Sequence, residues 1–240
     1  MNKSILIITS YTYIFSVFIL IFVFKEELTT FILLQNSIFF LCISYLIFKY
    51  FAKSNLEEFS LASKVTYMRL SVSIVLLTAA INSSTNSTIF DIFYMERLFI
   101  ILAIISLLLD GLDGFIARKY NQVTKYGEVI DQEADNFLIF VMSVSLYLNK
   151  EIGLYVFLIP AFRYIFIFSM TRYYWLKNTL PDSQLRKAVC VSIIFIMIIS
   201  QDSYFANDDV VFLVLLSLFI ITFSFSRDII WLYRNKYEKN

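Results

Sequence analysis

Long apolar runs alternate with short polar ones along almost the whole chain. The first, Ile5 to Phe24, is uninterrupted, and at about 1.5 Å of helix rise per residue it can cross a hydrocarbon core of roughly 30 Å. It is too long for the core of a signal peptide and no small-residue cleavage pattern follows, so it reads as a retained spanning helix. Lys25-Glu26-Glu27 makes a turn, and Phe31 to Tyr50 forms a second run. Ser54 to Lys64 is more polar and is expected to lie along the membrane surface as an amphipathic linker. The third run spans about Val65 to Ile81 and closes on the polar loop Asn82 to Thr88; the fourth spans about Ile92 to Leu109. Four more follow: about Phe137 to Leu148, Ile152 to Met170 with Pro160 inside, Ala188 to Ser200, and Val210 to Phe225. The fifth and seventh are short for a bilayer, so their helices are expected to extend into the polar flanks.

Composition agrees with this pattern. Apolar residues make up 59% of the chain and the mean hydropathy is +0.74, against roughly 45–50% apolar residues in soluble domains. The expected fold is an all-α polytopic membrane protein of about eight spans, with a two-helix hairpin at 1–53, an interfacial linker at 54–64 and a six-helix domain at 65–240. Lysine and arginine set the orientation, because cytoplasmic loops carry their excess. Placing both termini inside puts Lys49, Lys53, Lys64, Arg118, Lys119, Lys125, Arg172, Lys177, Arg186 and Lys187 on the cytoplasmic face. Asp91, Asp202, Asp208 and Asp209 then cluster outside. The net charge of +1 supplies no basic field for nucleic acid. The chain has no histidine, which removes imidazole bases, Ser-His triads and His-ligated metals. Cys42 and Cys190 lie far apart in apolar runs and read as small buried core residues.

What the hydrophobic pattern does not explain is a set of carboxylates between the fourth and fifth runs. Asp110 and Asp113 stand three apart, on one helical face with Gly114 and Ala117, whose small side chains leave a groove. Gly127, Asp131 and Asp135 are spaced by fours and form one line on the next helix. An antiparallel pair of helices joined by the basic turn Lys119 to Lys125 would bring the two carboxylate pairs together. Beside apolar runs each carboxylate is costly unless paired or bound to a cation. Without histidine or thiol nearby, the set suits Mg²⁺ or Mn²⁺, and two such ions about 4 Å apart can clamp a pyrophosphate. Arg118 is then placed to meet phosphate. The competing reading is a structural ion-pair cluster with Arg118 and the neighbouring lysines. Three of the chain's four glycines, Gly111, Gly114 and Gly127, fall in this stretch, which suggests that close backbone approach is wanted there.

The pattern D-x-x-D-G-x-x-A-R, eight residues, then G-x-x-x-D-x-x-x-D, met by Asp110, Asp113, Gly114, Ala117, Arg118, Gly127, Asp131 and Asp135, is similar to the signature of the CDP-alcohol phosphotransferases. The resemblance implies a core of six transmembrane helices over about Ser63 to Phe225, usually dimeric, with its site open to the cytoplasm of the cell (inner) membrane. It implies displacement of CMP from a CDP-linked alcohol by the hydroxyl of a second alcohol, in phospholipid synthesis. Carried over by position, Asp110, Asp113, Asp131 and Asp135 would hold the metals, and Asp135 would be the catalytic base. Gly114, Ala117, Arg118 and Gly127 would accept the CDP portion. Many members open the core with Asn-x-x-Thr-x-x-Arg. Here Ser63, Thr66 and Arg69 hold that spacing, serine replacing asparagine, and Thr66 and Arg69 are expected near the nucleotide.

Arg163, in the middle of the sixth run, is expected to turn inward. With Arg172, Arg186 and Lys187 it is a candidate pocket for an anionic acceptor such as glycerol 3-phosphate or an inositol phosphate. The donor expected from these features is CDP-diacylglycerol. The alternatives are transfer from CDP-choline or CDP-ethanolamine to diacylglycerol, or a cation transporter using the carboxylates, which would call for internal repeats that the chain lacks.

Overall fold

The computed structural model describes residues 3–25, 28–51, 61–83, 89–119, 125–177 and 184–235. Every regular element among them is helical: α1 (Lys3–Phe24), α2 (Thr30–Phe51), α3 (Leu61–Asn82), α4 (Ile89–Lys119), α5 (Lys125–Asn149), α6 (Leu158–Arg172), α7 (Gln184–Ile199) and α8 (Asn207–Arg234). Each apolar run of the sequence overlaps one of these helices, as lipid demands, since a spanning helix satisfies its backbone within itself. Among the described residues, five stretches are long and apolar enough to cross a membrane: Ile7–Phe24, Thr30–Lys49, Ser63–Asn82, Leu154–Arg172 and Asn207–Arg234. The helices are those of an integral membrane protein.

The element ends differ from the apolar runs for identifiable reasons. The 31 residues of α4 rise about 46 Å, so the helix continues through Asp110 to Lys119. The 25 residues of α5 reach back to Lys125 across the polar flank. The seventh run gains only four residues, and the 16 residues of α7 rise about 24 Å. A bond from the Ile152 amide to the Leu146 carbonyl closes α5, with Glu151 in the left-handed region at φ 54°. Pro160 falls in the first turn of α6, where its missing N–H leaves no intrahelical bond unmade, after a short 3-10 turn at Leu154–Phe157. The expected surface linker is described only from Leu61, where α3 has already begun.

The chain divides into two compact units, Met1–Val141 and Met142–Asn240. In the first, α3 is the central helix: every residue from Arg69 to Ala80 is buried. It carries Ser71, Ser73, Thr78 and Asn82 as buried polar residues, which an all-round protein environment tolerates and lipid would not. Its neighbour α2 meets it through a ladder of polar contacts, and α1 joins that ladder through α2. Asn36 Nδ2 donates to Ser16 Oγ at 3.4 Å, Thr78 Oγ1 donates to Asn36 Oδ1 at 3.4 Å, and Asn82 Nδ2 donates to Gln35 Oε1 at 2.9 Å. The Tyr67 hydroxyl donates to Ser44 Oγ at 2.7 Å, and Tyr13 and Ser37 share a bond of 2.8 Å. Edge-on contacts of Phe40 with Tyr13 and Tyr67 fill the space between. On its other side α3 packs on α4, and Leu70 meets Ile130 and Ala134 of α5.

In the second unit α8 packs against α6 and α7. Phe225 stacks on Phe162 with centroids 5.9 Å apart and meets Phe166 edge-on at 5.4 Å. Buried Gln201 donates to the Met142 carbonyl at 3.2 Å and accepts from Ser145 Oγ at 2.8 Å. Both cysteines are free, and Cys42 is exposed on α2 instead of buried, a position that suits a small apolar thiol beside lipid.

Candidate metal site

Asp110 lies nine residues before the end of α4, and Asp131 and Asp135 lie six and ten residues after the start of α5. These similar distances from the end of one helix and the start of the next suit the antiparallel pairing that the sequence suggests. In the structure the three carboxylates converge: each offers an oxygen, and these oxygens all lie within 4.8 Å of one another. The four-residue spacing of Asp131 and Asp135 keeps both on one line of α5, as expected.

Between them sits Arg69, sent across from α3. Its Nη1 donates to Asp110 Oδ1, and its Nη2 donates to Asp131 Oδ1 at 3.0 Å and to the Asp131 carbonyl at 3.1 Å. The same nitrogen stands 3.1 Å from Asp135 Oδ1. One guanidinium thus joins three helices through charge-assisted bonds, a geometry that its planar fork allows and an ammonium would not. The side chain of Arg69 is 2% exposed, while those of Asp110, Asp131 and Asp135 are 23%, 40% and 20% exposed. The arginine closes the protein side of the cluster and the carboxylates keep an open side. Three carboxylates against one guanidinium leave an excess of two negative charges, in an all-oxygen donor set. That chemistry fits a hard divalent cation such as Mg²⁺ or Mn²⁺.

The remaining predicted residues fall as follows. The backbones of Asp113, Gly114, Ala117 and Arg118 belong to the last turns of α4, and their side chains lie outside the described residues. Gly127 opens the α5 line one turn before Asp131, and Thr66 is buried on α3 one turn before Arg69. Gly111 is exposed and a side chain there would meet nothing within 4 Å, so no described part of the chain makes the close approach that its glycine suggests. Arg69, expected at the nucleotide, contacts the aspartates. The competing ion-pair reading names Arg118 and the lysines, and the spacing within one segment gives no sign of a partner on α3.

Of the acceptor candidates, Arg163 is half-buried, nine residues from either end of the Leu154–Arg172 stretch, and Arg172 and Lys187 are exposed. Arg186 approaches buried Asp228 of α8, its Nη1 3.6 Å from Oδ2, while Arg227 Nη2 donates to Asp228 Oδ1 at 2.9 Å. Sequence reasoning missed this trio because the last apolar run ends at Phe225 and Arg227-Asp228 reads as tail. The signal was available, since α8 continues to Arg234 and carries Asp228 inward.

Comparison with known proteins agrees with the motif. Residues 59–226 match the family model for CDP-alcohol phosphatidyltransferase, more than two thirds of the chain and close to the expected core of Ser63 to Phe225. Searches of curated proteins and of solved structures give no match. The match takes in Arg69, the three converging aspartates and the whole D-x-x-D-G-x-x-A-R stretch, and the chain belongs to the CDP-alcohol phosphatidyltransferase family, an enzyme family of phospholipid synthesis.

Proposed function

We propose that this enzyme transfers a phosphatidyl group from CDP-diacylglycerol to the hydroxyl of a small anionic alcohol. The observation that carries the proposal is the convergence of Asp110, Asp131 and Asp135 from α4 and α5 in a chain of this family. These three and Asp113 would hold two divalent ions, Mg²⁺ or Mn²⁺, which when bound would supply charge neutralisation at the donor pyrophosphate and at the oxygen that leaves. Asp135 takes the proton of the acceptor hydroxyl. That oxygen bonds to the phosphorus bearing the diacylglycerol, and the bond from this phosphorus to the bridging oxygen breaks, releasing CMP. Gly114, Ala117, Arg118, Gly127 and Thr66 receive the CDP portion. Arg163, Arg172, Arg186 and Lys187 supply positive charge for the acceptor's anionic group, with Arg227 added to them by its position beside Asp228.

The family core is the six-helix domain at 65–240, with 1–53 as an added hairpin and 54–64 as the interfacial linker. Both termini and the site face the cytoplasm of the cell membrane, in keeping with the lysine and arginine distribution, and the enzyme works as a homodimer, which cross-linking in membranes tests.

Membranes containing the protein, given labelled CDP-diacylglycerol and a panel of acceptors, are expected to release CMP only with an anionic acceptor. Release should stop with EDTA and return with Mg²⁺ or Mn²⁺. Asp135→Asn should lower turnover by about 10²- to 10⁴-fold, the usual worth of a positioned base. Full turnover in Asp131→Ala or Asp135→Asn would overturn the site assignment. CMP release from CDP-choline with diacylglycerol, and none from CDP-diacylglycerol, would overturn the donor.

A further inference from the structure

We infer that Arg69 is a positioning residue, a cation built into the site that holds the metal-binding carboxylates in place before any metal arrives. The inference rests on the divalent-metal reading of Asp110, Asp131 and Asp135, and goes beyond it by giving Arg69 a task other than nucleotide contact.

Three observations carry it. First, one side chain from α3 reaches Asp110 on α4 and both Asp131 and Asp135 on α5, so the three helices that form the site are tied at a single point. Second, Arg69 also donates to the Asp131 carbonyl at 3.1 Å, which fixes the α5 backbone as well as its side chains. That bond does not depend on what the carboxylates bind. Third, Arg69 is 2% exposed beneath carboxylates that are 20–40% exposed. A nucleotide arriving from solvent meets the aspartates, and the guanidinium has almost no surface left to offer it.

The physical need is clear. Carboxylates whose oxygens lie within 4.8 Å of one another repel, and without a cation among them they would separate, protonate or draw the helices apart. A fully occupied metal site removes that repulsion, but the enzyme must also fold, insert and turn over with the site open. Arg69 cancels part of the charge permanently and leaves an excess that still attracts a divalent ion. It therefore lowers metal affinity somewhat while keeping the site assembled.

The test uses the full-length protein in detergent with wild type, Arg69→Gln, Arg69→Lys and the double variant Arg69→Gln/Asp131→Asn. Thermal unfolding is followed in EDTA and in saturating Mn²⁺, and Mn²⁺ binding is read by electron paramagnetic resonance. In EDTA, Arg69→Gln is expected to melt lower than wild type by about 5 °C or more, with Arg69→Lys between them because it keeps the charge and loses the fork. Mn²⁺ should restore most of the loss in Arg69→Gln and bind it at least as tightly as wild type. Removing one repelling charge in the double variant should raise the EDTA melting temperature above that of Arg69→Gln. Should Arg69→Gln fail to accumulate, the same comparisons are made on Arg69→Lys, whose larger Mn²⁺-induced rise supports the inference and whose unchanged rise overturns it. Equal melting of Arg69→Gln and wild type in EDTA overturns it, as does a loss that neither Mn²⁺ nor Asp131→Asn relieves. Absence of Mn²⁺ binding in wild type overturns the metal reading instead, and the double variant still reports on the clamp.

Discussion

Asn36 tests how the N-terminal hairpin is joined to the helix that carries Arg69. It is fully buried and bridges α1 and α3, donating to Ser16 Oγ and accepting from Thr78 Oγ1, each at 3.4 Å. Both bonds are long, and both partners have another acceptor at hand: Ser16 Oγ donates to the Tyr13 carbonyl at 2.9 Å and Thr78 Oγ1 to the Ile74 carbonyl at 3.0 Å. Hydrogen bonds between membrane helices average about 0.6 kcal/mol and reach about 1.7, so two long ones with such alternatives contribute on the order of 1 kcal/mol. Asn36→Leu keeps the volume and removes a polar group whose partners are otherwise satisfied, so it should cost no more than about 1 kcal/mol. Asn36→Asp keeps the shape but sets a carboxylate where only two hydroxyls can serve it, at a cost of about 3 kcal/mol or more. At about 2–4 °C per kcal/mol for a chain of this size, leucine should lower the melting temperature by less than about 4 °C and aspartate by about 6–12 °C. Thermal unfolding of detergent-solubilised protein, read by fluorescence-detected gel filtration, distinguishes them. A leucine variant that falls as far as the aspartate variant would refute the reasoning, because the polar ladder would then be worth far more than its distances allow.

Other predictions concern the second unit and α4. Asp228→Ala removes the shared partner of Arg186 and Arg227, but these arginines are 31% and 35% exposed and can rehydrate. The loss should be about 1–2 kcal/mol in unfolding experiments, below the 3–5 of a fully buried pair. Arg186→Leu leaves Asp228 its 2.9 Å bond to Arg227, so stability should change by less than about 1 kcal/mol while the KM for the anionic acceptor rises in the CMP-release assay. Ser106, one turn before Asp110 on α4, holds a buried hydroxyl that has no hydrogen-bond partner among the described residues. Ser106→Ala should therefore leave activity intact and raise the melting temperature, the unmet hydroxyl costing about 1–3 kcal/mol; a lower melting temperature would show that the hydroxyl has a partner.

How much of this was legible in the chain depends on the distance over which each feature is encoded. The eight helices were visible because a bilayer requires long apolar runs. The continuation of α4 past Asp110 followed from the helical spacing of Asp110, Asp113, Gly114 and Ala117, but the residue at which each helix stops was not legible, because polar flanks carry no apolar period to mark an end. Asp131 and Asp135 were readable as a pair, since four-residue spacing is local. The ion pairs of Arg69 were not, since they join residues 41 and 62 positions apart. The clearest missed signal is α3 itself. Its stretch Ser63–Asn82 is the least apolar of the five spans, with serine, threonine, asparagine and arginine on several faces. A helix that is neither apolar all round nor polar on one side only must be enclosed by protein.

That enclosure bears on where the functional unit begins. The family match starts at residue 59 and leaves α1 and α2 outside, yet α2 meets Thr78, Asn82 and Tyr67 of α3 with Asn36, Gln35 and Ser44, and Ser16 of α1 backs Asn36. Removing α2 would take Gln35 from the Asn82 amide and set that amide in hydrocarbon, where a polar group is costly, and the same helix presents Arg69 to the aspartates a few turns away. A shift of α3 by even one ångström would move the guanidinium off carboxylates it now meets at about 3 Å, so the hairpin acts on the site through α3. The prediction is that Asn36→Asp raises the Mn²⁺ concentration needed for half-maximal CMP release, whereas Asn36→Leu does not. An Asn36→Asp variant that is less stable but has an unchanged Mn²⁺ requirement would confine the hairpin to anchoring.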